Sequence, residues 1–155
     1  MELTKREYDD KQEELSKVLE DLDKALILQR EAKSFMDFSE NSELDAANHQ
    51  VMLLQKRRSE LQEQLNNCEI ITPTRGPRIA LGNIVRVTEV DTSGKPLESS
   101  REFRIVSDNS DTVIKKTLSI ESPLGKSILG EISGVYLIQT PSGGVRYKVE
   151  KVADE

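Results

Sequence analysis

The chain has 155 residues, of which 35% are hydrophobic and 32% are charged, and its formal net charge is −6. The acidic excess lies in residues 1–75, which hold 17 acidic and 11 basic side chains, whereas residues 76–155 hold 11 of each. This distribution argues against general nucleic-acid binding, which needs a basic face. Because Cys68 is the only cysteine, neither an intrachain disulfide nor a cysteine metal cluster can form.

The N-terminal residues are charged and lack the apolar run of a signal peptide. No stretch of the sequence approaches the roughly 20 apolar residues that cross a membrane as a helix. We therefore expect a soluble cytoplasmic protein that makes no contact with a membrane.

Residues 4–35 carry the pattern of one long helix. Thr4 is a candidate N-cap, and Glu7, three residues later, is its candidate capping-box partner. Apolar side chains then recur at spacings of three and four without an intervening Gly or Pro, which predicts an amphipathic helix about 45 Å long. These side chains are Leu15, Val18, Leu19, Leu22, Ala25 and Leu26.

A second helix is predicted from about Ser42 or Glu43 to a point before Pro73, because cap-forming residues precede a stripe with near-heptad spacing. Arg58 takes a position where the stripe would place another apolar residue. A connection this short makes the two helices antiparallel neighbours. The stripe consists of Leu44, Ala47, Val51, Leu54, Leu61, Leu65 and Cys68.

The rest of the chain predicts a different architecture. Residues 73–78 contain two prolines and a glycine, which indicates a linker. Beyond it the hydrophobic period changes to two, which predicts a small, mainly antiparallel sheet over residues 79–155, with one short helix near Pro123. The predicted fold class is α+β: an antiparallel coiled-coil finger over residues 1–72, with its tip at residues 36–43, followed by the sheet domain.

Two carboxylates, Asp37 and Glu40, fall in the predicted tip. Oxygen ligands suit Mg²⁺, and two acids three residues apart could complete a metal site whose other ligands come from a partner and a substrate phosphate. The same acids could instead cap the second helix or keep the tip soluble, since Asp and Glu are common before helices. The spacing alone leaves both interpretations open.

Three segments, in order along the chain, resemble motifs of the bacterial Gre transcript-cleavage factors, the GreA and GreB family. Residues 37–43, followed by Ala46 and Ala47, are similar to the family pattern G-D-L-x-E-N-A-E-Y-x-A-A. Residues 122–130 resemble its S-P-L-G-x-x-L-x-G segment, and residues 140–149 resemble its T-P-x-G-x-x-x-Y-x-V ending. The resemblance spans nearly the whole chain.

The resemblance implies that the finger enters the secondary channel of bacterial RNA polymerase, and that an FKBP-like C-terminal domain docks at the channel mouth near the β′ subunit. Asp37 and Glu40 match the tip acids, which would help hold a catalytic Mg²⁺ shared with the polymerase and orient a water. The polymerase would then cleave the 3′ end of backtracked RNA. The chain would be an accessory factor rather than an enzyme, would bind no metal by itself, and would be a monomer.

The resemblance also assigns supporting roles. Asn41 and Glu43 would support the tip turn, and the docking segment would consist of Ser122, Pro123, Leu124 and Gly125. A basic cluster on the second helix would contact the nascent RNA 3′ segment or the polymerase, although short basic runs on helices are usually solvated faces. That cluster consists of Lys56, Arg57 and Arg58.

Four positions of the tip depart from the family pattern: Met36, Phe38, Leu44 and Asp45. The two acids are retained, but the tyrosine of the pattern is replaced by Leu44, and Asp45 adds a negative charge. This leaves open a Gre-like relative that occupies the channel and inhibits or modulates polymerase without cleavage.

Two other classes of function fit only part of the sequence. A prolyl isomerase with an FKBP-like fold uses an aromatic-rich pocket, whereas the C-terminal half offers only Phe103, Tyr136 and Tyr147, and fold alone does not carry function. A generic coiled-coil adaptor would explain the two apolar stripes but not three motif matches in order.

Overall fold

A computed structural model of the chain describes residues 1–34, 42–107 and 116–155. Within these ranges the elements follow the order β1 (Glu2–Thr4), α1 (Lys5–Ser34), α2 (Ser42–Asn66), β2 (Glu69–Ile71), β3 (Ile84–Val90), β4 (Arg101–Val106), β5 (Thr117–Ser119), α3 (Pro123–Ile128), β6 (Gly134–Thr140) and β7 (Gly143–Ala153). The chain divides into two compact units, a helical unit of Met1 with residues 6–68 and a sheet unit of residues 2–5 with 69–155. None of the described helices combines the length and hydrophobicity that a membrane span requires.

The helical unit is an antiparallel pair of long helices, as the sequence predicts. Two side-chain hydrogen bonds fix the direction of the pair: Lys11 Nζ donates to Gln64 Oε1 at 2.9 Å, and Gln29 Nε2 donates to Asn48 Oδ1 at 2.7 Å. Residues near the start of α1 therefore contact residues near the end of α2, and residues near the end of α1 contact residues near the start of α2. The core of the pair joins side chains from both apolar stripes, namely Leu22, Ala25, Val51 and Leu54.

The line of buried contacts between the two helices, called the seam below, includes fewer residues of α1 than the predicted apolar stripe. Val18 and Leu22 are buried, whereas Leu19 and Leu26 are 40% and 37% exposed. Val18, Leu22 and Ala25 are separated by four and then three residues, a spacing that keeps side chains facing the partner helix. Leu19 and Leu26 each come one residue after a seam position. A two-helix pair has only one covered face, so it cannot cover these flanking leucines.

The sheet unit begins with a strand pair that the sequence did not predict. Residues of β1 pair in parallel with β2, in the register Leu3 to Ile70. Thr4, the predicted N-cap, is therefore the last residue of a strand, and α1 begins at the next residue. Each strand has three residues and its partner lies more than 60 positions away, so neither shows a local period.

The main sheet has five strands in the order β5-β4-β3-β7-β6. Neighbouring strands are antiparallel except β4 and β5, which run parallel. The predicted sheet with one short helix is confirmed, and the sheet is mixed because of this one pair. Its core comes from strand positions, from α3 and from the segment just before β3, namely Ile79, Leu81, Val85, Val87, Ile105, Ile128 and Val149.

The predicted linker, residues 73–78, is held against the sheet unit by Lys151. The Lys151 ammonium donates hydrogen bonds to the carbonyl oxygens of Thr74, Gly76 and Arg78 at 3.1, 2.7 and 3.2 Å. The side chain of Lys151 is only 8% exposed. The ammonium also pairs with the Asp154 carboxylate at 2.9 Å, so the positive charge that holds this segment is itself neutralised by a residue of the same unit.

Asn83 holds the same segment from inside. Its side chain is fully buried, its Nδ2 donates to the carbonyl oxygens of Thr74 and Asp154, and its Oδ1 accepts from the Ala80 N–H at 2.7 Å. A buried amide is stable only when its donors and acceptor are paired. Asn83 therefore ties the segment before β3 to the C-terminal end of the sheet.

Candidate functional site

The predicted tip of the finger lies between the end of α1 at Ser34 and the start of α2 at Ser42. Glu43 is exposed in the first turn of α2, where a negative charge interacts favourably with the helix dipole. His49, two turns further along, is exposed as well. The other predicted tip residues lie outside the described residues: Asp37, Glu40 and Asn41.

Next to that tip, the two helices leave an apolar groove of about 390 Å³ between them. Alanines occupy four of its lining positions, which keeps the helices from filling the space, and Glu31, Glu43 and Gln50 give it a polar edge. The remaining lining residues are Ala25, Leu28, Ala32, Ala46 and Ala47. The Ala-Ala pair of the tip motif thus lines a groove rather than the packed seam.

The three side chains of the basic cluster on α2 lie in three different environments. Lys56 is exposed to solvent. Arg57 is committed to acids of its own unit, because its Nε donates to Glu14 Oε1 at 2.8 Å and its Nη1 to Glu60 Oε2 at 3.4 Å. Arg58 occupies the seam position predicted for an apolar residue, and within the described part of the chain its buried Nε has no hydrogen-bond partner. The three cations therefore do not form one continuous patch.

The predicted docking segment forms the start of the short helix α3, with Pro123 in the first turn as predicted. Ser122 is the N-cap, and its Oγ accepts a hydrogen bond from the Gly125 N–H at 3.0 Å. The same hydroxyl donates to the carbonyl oxygen of Ser119 at 2.6 Å. One side chain therefore joins the helix to the end of β5.

Gly125 is required by this close approach. A Cβ at this position would lie 2.0 Å from the carbonyl oxygen of Ser119, far inside van der Waals contact. Leu124, one residue earlier, packs against the sheet core. The segment thus has a rigid inner side formed by Leu124 and Gly125, while Pro123 is exposed.

The sequence reasoning missed Ser119. Its side chain is fully buried, its Oγ accepts from the Glu121 N–H at 3.1 Å, and its carbonyl oxygen accepts from the N–H and the hydroxyl of Ser122. The partners lie only two and three residues further along the chain, so the available signal was a local one, a serine able to form a turn just before the N-cap of α3.

The third motif, at residues 140–149, forms the hairpin between β6 and β7. Thr140 Oγ1 donates to the carbonyl oxygen of Gly143 at 2.6 Å, and Gly143 has a φ of 123°, which a glycine adopts without strain. Tyr147 is half-buried and packs against the core. The motif therefore has a clear role in the fold.

The turn between β3 and β4 contains a carboxyl group, that of Asp91, whose pKa is shifted. Asp91 Oδ1 accepts from the hydroxyl of Ser93 at 2.7 Å and from the N–H groups of Ser93 and Lys95, both at 2.9 Å. These hydrogen bonds, with the Ser93 hydroxyl first, hold the pKa of the Asp91 carboxyl below its ordinary value. The turn between β3 and β4 is thus organised by an ionised aspartate.

Within residues 1–34, 42–107 and 116–155, no group of three or more His, Cys, Asp or Glu side chains is arranged to hold a metal ion. The acids predicted to share a metal with a partner, Asp37 and Glu40, lie outside these ranges.

Both halves of the chain match models of one class of proteins, the transcription elongation factors. Residues 1–70 match the model described as transcription elongation factor, N-terminal, and residues 74–154 match the model described as transcription elongation factor, GreA/GreB, C-term. The chain therefore belongs to the GreA/GreB family.

Curated relatives support this assignment over most of the chain. The transcription elongation factor GreA of Thermotoga petrophila is 34% identical over 150 residues, which cover 92% of this chain and 93% of the relative. The GreA of Yersinia pestis is 31% identical over 126 residues, 79% of this chain and 77% of the relative. Among solved structures, the GreA factor homolog 1 (Gfh1) protein of Thermus thermophilus is 26% identical with a TM-score of 0.47, covering 97% of this chain and 96% of that one.

Proposed function

We propose that this chain is a transcription elongation factor that binds bacterial RNA polymerase through its secondary channel and stimulates the polymerase's own cleavage of backtracked RNA 3′ ends. The observation that carries the proposal is the position of Asp37 and Glu40 in the sequence between the ends of two long antiparallel helices, in a chain whose two halves both match the GreA/GreB family. The proposed partner is therefore the polymerase, near its β′ subunit.

The helical unit has the dimensions that this role needs. The 30 residues of α1 extend about 45 Å at 1.5 Å per residue. A pair of helices is only about 20 Å across, since each helix with its side chains is about 10 Å wide. Such a rod could carry two carboxylates into a narrow channel to a buried active centre.

The proposed cofactor is a Mg²⁺ ion of the polymerase active centre. Asp37 and Glu40 would supply oxygen ligands to it, and the ion would supply Lewis-acid chemistry for the attacking water and the leaving oxygen. The chain is thus proposed to be an accessory factor whose two acids complete a site in the polymerase.

The second proposed contact is the docking segment at the start of α3. Ser122 fixes its backbone, because the Ser122 hydroxyl donates to the carbonyl oxygen of Ser119 and accepts from the Gly125 N–H, and Pro123 is exposed beside it. A rigid exposed turn loses little conformational entropy on binding. We propose that it anchors the sheet unit on the polymerase surface while the finger acts in the channel.

An RNA cleavage assay on backtracked elongation complexes tests the proposal. The variants Asp37→Asn and Glu40→Gln keep side-chain size and remove charge, and each should slow cleavage about 100-fold. Glu31→Gln, an exposed acid in the last turn of α1, is the matched control and should cleave at the wild-type rate. Cleavage by both tip variants at the wild-type rate would contradict the proposed roles of the two acids.

A second candidate function is inhibition of the polymerase without cleavage. The observation that favours it is the altered tip, because Leu44 replaces the tyrosine of the family pattern and Asp45 adds an exposed charge beside the acids. The same assay separates the two candidates. A wild-type chain that binds the polymerase but leaves the RNA intact, or slows elongation, is the inhibitory relative.

A further inference from the structure

The main sheet has two edges of different character. One edge is β5, a strand of three residues, and the other is β6, a strand of seven residues. β6 pairs with β7 over its whole length, and among the described residues no backbone hydrogen bond joins its other side to any element. The N–H and C=O groups of successive residues in an antiparallel pair point alternately to the two sides of the strand. About half of the backbone groups of β6 are therefore open to a further strand.

β6 lacks the features that usually protect an edge strand. Edge strands in most proteins are very short, or they carry a lysine, a proline or a bulge that prevents another strand from pairing with them. β6 has no charged residue and no proline, and its register with β7 is regular from end to end. Val135 and Leu137 are 57% and 55% exposed on one face of the strand, whereas Ile138, on the other face, is buried. The edge is therefore long, regular, uncharged and partly apolar.

The charges nearest to this edge do not oppose an identical strand. They lie on β7, where Lys148 is opposite Val135 and Arg146 is opposite Leu137. The Lys148 ammonium pairs with the carboxylate of Glu150 at 3.2 Å, so its charge is balanced within the unit. If two copies met at β6, the backbones of the two Arg146 residues would be three strand spacings apart, about 14 Å. Salt screens exposed charges over about 8 Å at physiological ionic strength, so their repulsion would be small.

The strand is also complementary to itself. A two-fold axis perpendicular to the sheet places β6 antiparallel to the same strand of a second copy and keeps the core faces of both sheets on one side. The overlap of the two strands is greatest when Leu137, the central residue of β6, lies opposite its own counterpart. Val135 then lies opposite Gln139. This register joins the exposed leucines at the centre of the contact, where directly opposite apolar side chains stabilise a strand pair.

From these observations we infer that two copies of this chain join their main sheets through antiparallel β6 strands, with Leu137 on the two-fold axis. A strand of seven residues is only about 24 Å long, so the contact buries less than the roughly 1,200 Å² at the lower end of stable interfaces. The dimer is therefore weak and forms only at high concentration. The inference goes beyond the proposed function and needs no polymerase, so its failure would leave the proposed function unaffected.

Sedimentation equilibrium of the full chain, at concentrations up to about 1 mM, tests the association. We expect the apparent mass to rise with concentration from 17.5 kDa toward twice that value. Leu137→Lys would bring two ammonium groups together on the axis and should weaken the association at least about tenfold. Leu97→Lys is the matched control, because Leu97 is 58% exposed in the connection between β3 and β4, and it should associate like the wild type. An apparent mass of 17.5 kDa at every concentration would overturn the inference.

Disulfide cross-linking in a Cys68→Ala background tests the register. Leu137→Cys should give a covalent dimer on mild oxidation, because the Cα atoms of directly opposite residues are about 4.5–5.5 Å apart, within the range of a disulfide. Val135→Cys is the control on the same face of β6. Its counterpart would lie four residues further along the strand, about 14 Å away, so it should not cross-link.

The combined outcomes decide the inference. Association that Leu137→Lys weakens and Leu97→Lys does not, together with cross-linking at position 137 and not at 135, supports the β6 dimer. Association that Leu137→Lys leaves unchanged would place the contact elsewhere on the chain. That result, or equal cross-linking at positions 135 and 137, or none at 137, would overturn the inference.

Discussion

The segment at the start of α3 depends on a few single atoms, which belong to Ser119, Ser122 and Gly125. The hydroxyl of Ser122 joins two elements, and the missing side chain of Gly125 is what allows the approach. The sequence predicted the short helix and the place of Pro123 within it, because capping and proline preferences are local. It did not predict Ser119, although the hydrogen-bond partners of that residue lie only two and three positions further on, because serine is common in turns and does not by itself mark this one.

Substituting Gly125 should test this packing. In Gly125→Ala the new Cβ would meet the carbonyl oxygen of Ser119 at 2.0 Å, so the helix or the strand must shift. We expect a loss of about 2 kcal/mol in the free energy of unfolding, typical of overpacking. Urea denaturation measures it.

Gly134→Ala is the control for that measurement. Its Cβ would lie 3.7 Å from the nearest atom, the Tyr136 hydroxyl, which is ordinary contact. The two variants add the same methyl group. Equal stability of the two would show that the close approach at Gly125 is not constrained.

The turn at Asp91 predicts a pH dependence. Hydrogen bonds, first from the Ser93 hydroxyl, lower the pKa of this carboxyl in the folded chain. Because the folded pKa is depressed, the stabilisation is present above the ordinary pKa of an aspartate and is lost as the pH falls through the folded pKa. An NMR titration should place the Asp91 midpoint below its ordinary value. Ser93→Ala should move it upward, and an unchanged midpoint would contradict the assigned cause.

At the scale of elements, the helices were predictable and the strand pairing was only partly so. The structure begins α1 at Lys5 and ends it at Ser34, one residue inside each predicted boundary, because the apolar spacing lies in the helix itself. The pair β1–β2 and the parallel contact of β4 with β5 depend on distant residues. No local pattern in either segment indicates which strand it will meet.

Arg58 gives a prediction about the helix pair. Its side chain occupies a seam position, and its buried Nε lacks a hydrogen-bond partner among the described residues. Arg58→Leu should therefore stabilise the helical unit by about 1 kcal/mol, since it replaces a poorly paired polar group by an apolar one. Thermal unfolding followed by helical circular dichroism should show a higher midpoint.

The neighbouring exposed residue supplies the control. Lys56→Leu adds the same side chain outside the seam and should leave the midpoint nearly unchanged. A lower midpoint for Arg58→Leu than for the wild type would mean that the arginine contributes packing or charge that the seam needs.

At the scale of the whole molecule, the sequence predicted a two-helix finger and a sheet domain. The structure divides into two such units, and the two family models match the N-terminal and C-terminal parts separately. The candidate tip was found from its position between helices and from its resemblance to the family. The sheet unit also contains a cavity between β3, β4, β5, β7 and α3, which was not found because no sequence pattern connects these five separate elements. A cavity assembled from many elements is therefore a feature that local sequence patterns do not predict.

The pairing of β1 with β2 makes the sheet unit discontinuous in sequence, with the whole finger inserted between two of its strands. During synthesis, Leu3 must wait until residues 69–71 leave the ribosome before it can be buried. Removing the first four residues should therefore destabilise the sheet unit, even though the next element in the chain, α1, belongs to the helical unit. Fusing a bulky partner directly to these residues should have the same effect. The finger begins after β1 and ends before β2. Residues 6–68 could therefore be replaced by the finger of a related chain without interrupting the sequence of either strand.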